Sequence, residues 1–536
     1  MSETFTAADN PPDPRFHVYD TTLRDGTQGA GFTPSIGDKL AVARHLDDLG
    51  FGYLEGGWPG SNPKDAGFFT NAATELELRH ATLCAFGATR RASMKAVDDP
   101  QVLALLDANT KVVTLVAKAH STQVERALRT TRDENLAMVA DTVSLLRAEG
   151  RRVFVDAEHF FDGFRHDPAY ALSVVTAAQE AGAEVVVLCD TNGGMLPHQV
   201  AATVAETLTM RPGGRLGFHG HNDTACAVAN TLAAVGAGAT HVQGTANGYG
   251  ERCGNADLFA VVANLETKLD IRVLPEGKLA ELQRVAHAVA EIANFVPEPR
   301  QPYVGQLAFA HKAGLHASAL KTDADFYQHI DPARVGNDMT LLVSELAGRA
   351  SVELKGAQLG MDVDRDTAGR VIDRVKQRES VGYSYEAAEA SFELLLREEV
   401  SGSRPQAFTL ESWRVIVERR ADGGCVSEAT VKLQVAGERQ VATGEGNGPV
   451  NALDNALRAA LRQHYPHLQD LELTDYKVRI LDGAHGTDAV TRVLVTTSDG
   501  ERQWQTVGAG DNVIDASWQA LDDAVTYGLE ARAPVG

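Results

Sequence analysis

The chain predicts an α/β fold: a (β/α)8, or TIM, barrel, followed by a mostly helical subdomain region and a C-terminal α+β domain. Three observations carry this. Eight short apolar runs alternate with helical patterns over roughly the first half of the 536 residues. The rhythm then breaks. Polar residues of metal-binding and acid–base type recur where the apolar runs end, and in a barrel that face carries the chemistry.

In chain order the runs are Phe16 to Asp20, Gly52 to Gly56, Ala81 to Phe86, Lys111 to Val116, Arg152 to Asp156, Glu184 to Cys189, Arg215 to His219 and Thr240 to Gly244. Their apolar character suits strands buried on both faces, as in a parallel sheet. Helical spacing runs from Lys39 to Leu49, Tyr170 to Ala181 and Ala225 to Val235, stopping at Gly50, Gly182 and Gly236. Each glycine suits the positive φ of a helix end. The count and size match a barrel. A doubly wound dinucleotide fold is weakened because no Gly-x-Gly-x-x-Gly follows an early strand.

Further on, Leu279 to Phe295 reads as a helix ending before Pro297, and Thr340 to Phe392 is mostly helical. Ser401 to Pro405 reads as a linker. Beyond it, Phe408 to Glu418, Ser427 to Val435, Val478 to Leu481 and Val490 to Thr497 read as strands. A turn-like Gly444 to Gly448 precedes a helix at Asn451 to Leu461. The expected domains are 1–275, 276–400 and 401–536.

A formal charge of -22 and a pI near 5.2 disfavour a nucleic-acid or anionic-membrane surface. The five cysteines form no Cys-x-x-Cys pair, so neither a zinc ribbon nor a disulfide scaffold is indicated. No signal-like or membrane-spanning apolar run is present, and the chain reads as soluble and cytoplasmic.

The chemistry centres on His219-Gly220-His221-Asn222-Asp223 at the end of the seventh strand. Two imidazoles one residue apart on a strand face the same way and suit one divalent metal. Asp25, after the first strand, adds a carboxylate that barrel closure brings near. Two His and one carboxylate keep positions open for water or substrate. Asp223 is either a further ligand or an orienting partner of an imidazole. Arg24 either ties down its loop or donates to an oxygen gaining negative charge. The same rim holds Glu55, Asp156, Glu158, Asp190, Thr191, Asn192 and Asn247. In the loop Gly244 to Asn255, glycines permit close approach, and Asn255 offers a neutral oxygen to a metal. Its Glu251-Arg252 pair is otherwise a solvent-exposed turn.

Three blocks, Asp20-Thr21-Thr22-Leu23-Arg24-Asp25-Gly26-Thr27-Gln28, His219-Gly220-His221-Asn222-Asp223 and Asn247-Gly248-Tyr249-Gly250-Glu251-Arg252-Cys253-Gly254-Asn255-Ala256, resemble the signatures of the 2-isopropylmalate, homocitrate and citramalate synthase family. The resemblance extends through Phe309 to Ser318 and Tyr327 to Val335, and the C-terminal domain looks like the family's regulatory domain. It implies condensation of acetyl-CoA with a 2-oxo acid. It also implies metal ligation by Asp25, His219, His221 and Asn255, with Mg²⁺, Mn²⁺ or Zn²⁺ as the ion. Arg24 would contact the oxo oxygen, Glu158 would order metal and substrate, and Thr191 would hold the 2-oxo acid carboxylate. His316, assisted by Tyr327, would be the catalytic histidine, donated to the neighbouring subunit of a homodimer. Thr27 and the run Glu55 to Asp65 look like the citramalate-forming branch, which implies pyruvate as acceptor, a place at the start of a pyruvate route to isoleucine, and isoleucine as effector. The alternatives are a 2-oxoisovalerate acceptor, as in 2-isopropylmalate synthases, a metal hydrolase, a carbon–carbon lyase of the 3-hydroxy-3-methylglutaryl-CoA type, or a catalytically silent amino-acid sensor.

Overall fold

The computed structural model describes residues 12–323, 326–481 and 488–530. Eight parallel strands close into a barrel in sequential order: β1 (His17–Asp20), β2 (Tyr53–Gly57), β3 (Thr82–Ala88), β4 (Val112–Lys118), β5 (Arg152–Glu158), β6 (Val185–Asp190), β7 (Arg215–Gly220) and β8 (His241–Gly244). Closure is made by β1 against β8, with Tyr19 opposite Gln243. All eight expected strands are present. Several run one or two residues further at the carboxyl end, which brings Lys118 and Glu158 onto strands.

Valines dominate the strand positions facing the outer helices, and Val113, Val153, Val155 and Val186 are fully buried against them. The lumen is filled separately by Tyr19, Tyr53, Cys84, Phe154, Val187 and Cys189. The Tyr19 hydroxyl bonds Glu55 and Thr114 across the interior, both at 2.7 Å. At the amino-terminal end, His17, Tyr53, Phe154 and His241 pack ring against ring.

The helix expected from Lys39 begins earlier, at Ile36, under a capping box made by Ser35 and Asp38, and it ends at Gly50 with φ 104°. The helix Ala227–Gly236 includes Gly236, and the positive φ expected there falls on Gly238 at 110°. The helix expected from Leu279 to Phe295 is split into a 3₁₀ turn, Lys278–Glu281, and a helix, Leu282–Ile292.

The chain divides into two compact units, Met1–Phe309 with Ile330–Asp338, and Ala310–His329 with Met339–Gly536. In the second, β9 (Ala310–His311) pairs in parallel with β10 (Thr340–Leu341). The helices Arg349–Gln358, Arg365–Ser380 and Glu389–Ser401 share a core around Val352, Val371, Val375 and Phe392. Then come two antiparallel three-stranded sheets, β11 (Thr409–Arg419), β12 (Cys425–Val435) and β13 (Glu438–Gly446), and β14 (Glu472–Ile480), β15 (Thr491–Ser498) and β16 (Gln503–Gly510). Helices Pro449–Leu461 and Val513–Glu530 follow them. The turn expected at Gly444 to Gly448 is a correction: Gly444 and Gly446 belong to β13, where a Cβ on either would strike the backbone of helix Pro449–Leu461. No helix among the described residues is long and apolar enough to cross a membrane.

Candidate metal and active site

The carboxyl ends of the strands surround a cavity of about 600 Å³. His219 is the last residue but one of β7, with its partner Gln243 directly opposite on β8. His221 lies two residues further on, bridged to Asn255 of the loop after β8. Gly220 between the two histidines is required by packing, since a Cβ there would lie 2.7 Å from the Phe218 ring. Asp25 stands on the turn after β1, where its amide donates to the Thr21 carbonyl at 2.8 Å.

Asp25, His219 and His221 are buried, and one ligand atom from each lies within 4.8 Å of the others. Asp25 Oδ2 is 3.3 Å from His219 Nε2 and 3.9 Å from His221 Nε2. Gln243 donates from Nε2 to Asp156 at 3.0 Å, which turns its Oε1 to His219 Nδ1, also at 3.0 Å. Nδ1 must therefore donate, and Nε2 is the nitrogen that faces Asp25. A carboxylate 3.3 Å from that nitrogen needs a cation between them, either a proton on Nε2, which Asp25 holds there against the effect of burial, or a metal ion in its place. Asn255 is bridged to His221 beside this cluster. Its Nδ2 donates to the Tyr249 carbonyl at 3.0 Å, while its buried Oδ1 has no hydrogen-bond partner. Two imidazoles, a carboxylate and an amide oxygen fit a divalent ion.

The electrostatics agree. Burial alone would raise the Asp25 carboxyl, but the Arg24 guanidinium and the contact with His219 hold it well below the usual range. Burial and the neighbouring His219 push the His221 imidazole down to about 4, leaving it neutral and able to ligate. Burial, and then Glu55, push Asp156 up to about 7.

Arg24 is aimed from two sides. Its Nε donates to Glu55 at 2.6 Å, and its guanidinium lies 3.9 Å over the Phe86 ring. The pair with Glu55 ties the loop down, and Arg24 also lines the cavity. Thr191 lines it too. The Thr191 hydroxyl oxygen accepts from the His159 amide at 2.8 Å, so its own O–H is left to donate. Glu158 pairs with Lys118 across β4 and β5. Lys118 carries no sequence signal of its own, because the apolar run of β4 ends at Val116. Gln243 was missed because a glutamine inside a strand carries no motif.

Four rim residues serve the scaffold instead. Asp223 does not touch an imidazole: both its oxygens accept from Arg252, at 2.8 and 3.0 Å. The Glu251–Arg252 turn is solvent-exposed as expected, and Arg252 also donates to the Thr191 carbonyl at 2.9 Å, which straps two loops together. Asp190 accepts the amides of Gly194 and Met195, Asn192 donates to Asp162, and Asn247 is held by Tyr249, Ala286 and Gln301. His316 and Tyr327 belong to the second unit, where their rings stack at 4.1 Å.

A closed parallel barrel with this donor set at the carboxyl ends of its strands defines a divalent-metal enzyme. Residues 15–289 match the HMGL-like family, 303–382 the homocitrate synthase post-HMGL domain-like family, and 386–529 the LeuA allosteric (dimerisation) domain. The chain is 64% identical over 519 residues to an (R)-citramalate synthase of Streptomyces coelicolor, covering 96% of this chain and 97% of that one. It is 47% identical to the (R)-citramalate synthases of Aquifex aeolicus and Synechocystis, again over 96% of its length and 98% and 96% of theirs. The chain belongs to the (R)-citramalate synthase family, within the HMGL-like group.

Proposed function

We propose that this enzyme condenses acetyl-CoA with pyruvate and water, giving (R)-citramalate and CoA. The observation that carries the reading is the Asp25–His219–His221 cluster, with the unpartnered Asn255 oxygen, inside the barrel of a chain that matches its relatives over nearly their whole length. Asp25, His219, His221 and Asn255 would hold the divalent ion, and an ion held there would supply Lewis-acid polarisation of the pyruvate oxo group.

Thr191 donates its O–H to the pyruvate carboxylate. Arg24, fixed by Glu55, donates to the oxo oxygen as it gains charge, which is worth most in a buried site. Glu158, held by Lys118, orders the substrate side of the pocket. His316, stacked on Tyr327, takes a proton from the acetyl methyl group of the partner subunit's substrate. The resulting enolate carbon bonds to the oxo carbon, and the oxo oxygen takes up a proton. Water then cleaves the thioester and releases the CoA thiol, which draws the condensation forward. The chain acts as a homodimer through its C-terminal domain, 401–536, which takes isoleucine as effector. The barrel domain spans 1–275, and the subdomains that reach the neighbouring site span 276–400.

The test is CoA thiol release with Mn²⁺ or Mg²⁺ and one acceptor at a time: pyruvate, 2-oxobutanoate, 2-oxoisovalerate or 2-oxoglutarate. Pyruvate is expected to give the highest kcat/KM. A preference for 2-oxoisovalerate would reassign the acceptor, and release with none would overturn the condensation.

A further inference from the structure

The cavity has two chemically distinct ends. The metal cluster, Arg24 and Thr191 make one polar. Trp58, Phe86, Val116, Leu128 and Met138 line an apolar remainder, wider than a three-carbon acid requires. Five cations line the cavity, and four of them are already neutralised. Arg24 pairs with Glu55 and Asp25, Arg90 with Glu134 and Asp141, Lys118 with Glu158, and Arg252 with Asp223 and Glu251. Arg91 lines the same cavity, is solvent-exposed, and has no carboxylate partner among the described residues.

The loop that carries Arg91 is built rather than loose. Arg90 is buried, and its two ion pairs reach helix Arg132–Ala148. The Arg90 amide donates to Thr142 Oγ1 at 2.9 Å, the Arg91 amide to Asp99 at 2.7 Å, and the Ser93 amide to Glu134 at 3.1 Å. Ser93 is held at φ 63°, a conformation a non-glycine residue keeps only where its surroundings impose it. A clamped backbone thus presents one free guanidinium at the mouth of a pocket in a strongly acidic chain.

We propose that Arg91 is the docking cation for the phosphates of the acyl-CoA donor, with the pantetheine arm lying along the apolar lining between it and the metal. This rests on acetyl-CoA being the substrate. The chemistry fits: a guanidinium binds phosphate oxygens in a bidentate fork, and a preorganised one loses less entropy in doing so. A polyanion approaching a protein of charge -22 needs such a local positive point.

The test compares the wild type with R91A, R91K and R91E, using acetyl-CoA, acetyl-dephospho-CoA and S-acetylpantetheine, and measures CoA binding without pyruvate by calorimetry. R91A is expected to weaken CoA binding and raise the KM for acetyl-CoA about fivefold, the scale of a partly exposed charge-assisted contact. R91E should raise it further, and R91K should recover part of the loss. The KM for pyruvate and the kcat at saturation should hold. With S-acetylpantetheine, which has no phosphate, wild type and R91A should coincide. If only the 3′-phosphate is gripped, acetyl-dephospho-CoA should behave like S-acetylpantetheine; if the pyrophosphate is gripped, it should behave like acetyl-CoA. Unchanged CoA binding in R91E, or equal losses with and without phosphates, would overturn the proposal. A wild type that binds CoA but turns over no 2-oxo acid would overturn the condensation and leave the docking result to be read from calorimetry alone.

Discussion

Gln243 is the residue whose part in the site is least visible from sequence and most constrained in space. It is fully buried, and its amide has one orientation because Asp156 accepts from its nitrogen. That orientation fixes the tautomer of His219. Gln243→Met keeps the volume and removes the acceptor. It should weaken Mn²⁺ binding about 10- to 100-fold, measured by calorimetry or electron paramagnetic resonance, with the circular dichroism spectrum retained. Unchanged Mn²⁺ affinity would mean that His219 needs no tautomer lock. Asp25, His219 and Asn255 were legible as candidate ligands because motif spacing places them at strand ends or in a glycine-rich loop. Asp223 carried the same residue type at the same rim, and only the structure shows its oxygens taken by Arg252. Sequence gives position along the chain, but not which neighbour claims a lone pair.

At the scale of elements, the loop after β8 turns glycine chemistry into ligand placement. Gly254 has φ 84°, and a Cβ there would lie 2.0 Å from the Gly248 carbonyl oxygen. Asn255 follows it directly, with its amide donating to that same carbonyl at 3.0 Å. Gly254→Ala should cost about 1–3 kcal/mol in denaturant unfolding and should also lower metal affinity, because the loop cannot relax without moving Asn255. A stability loss with normal Mn²⁺ binding would separate the loop from the site. The barrel strands were readable because burial on both faces leaves an apolar run. The outer strand β13 was not: its burial alternates between exposed and half-buried, and its two glycines look like a turn in one dimension. They are small because a helix packs on them. The strand β16 and the helix Val513–Glu530 also went unread, although Trp504, Trp518 and Leu521 bury their side chains in the shared core of the two sheets.

For the whole molecule, the acidic balance reaches into the core. Asp20, fully buried at the end of β1, has its carboxyl pushed up to about 7, mainly by loss of hydration, with two bonds from Thr22 opposing. The folded state therefore holds this proton more tightly than the unfolded chain, in which a carboxyl titrates near 4. The stabilisation is complete below the unfolded value and is lost as pH rises through the folded one. Asp20→Asn removes that dependence. Relative to wild type, its Tm should rise steadily between about pH 4 and 7, read by scanning calorimetry. A difference independent of pH would show that Asp20 does not change its proton occupancy on folding.

The chain of contacts from Thr114 through Tyr19 and Glu55 to Arg24 has a consequence for how this protein can change. Glu55 is fully enclosed, in a place where an aliphatic residue would ordinarily serve the barrel better. Yet it is the grip that aims the arginine facing the substrate pocket. Drift toward a greasier interior would loosen that aim, and the lumen is therefore bound to one solution by the demands at its rim. Engineering for heat resistance should leave this column untouched and seek its gains in the outer helices, where tighter packing leaves the guanidinium where it is.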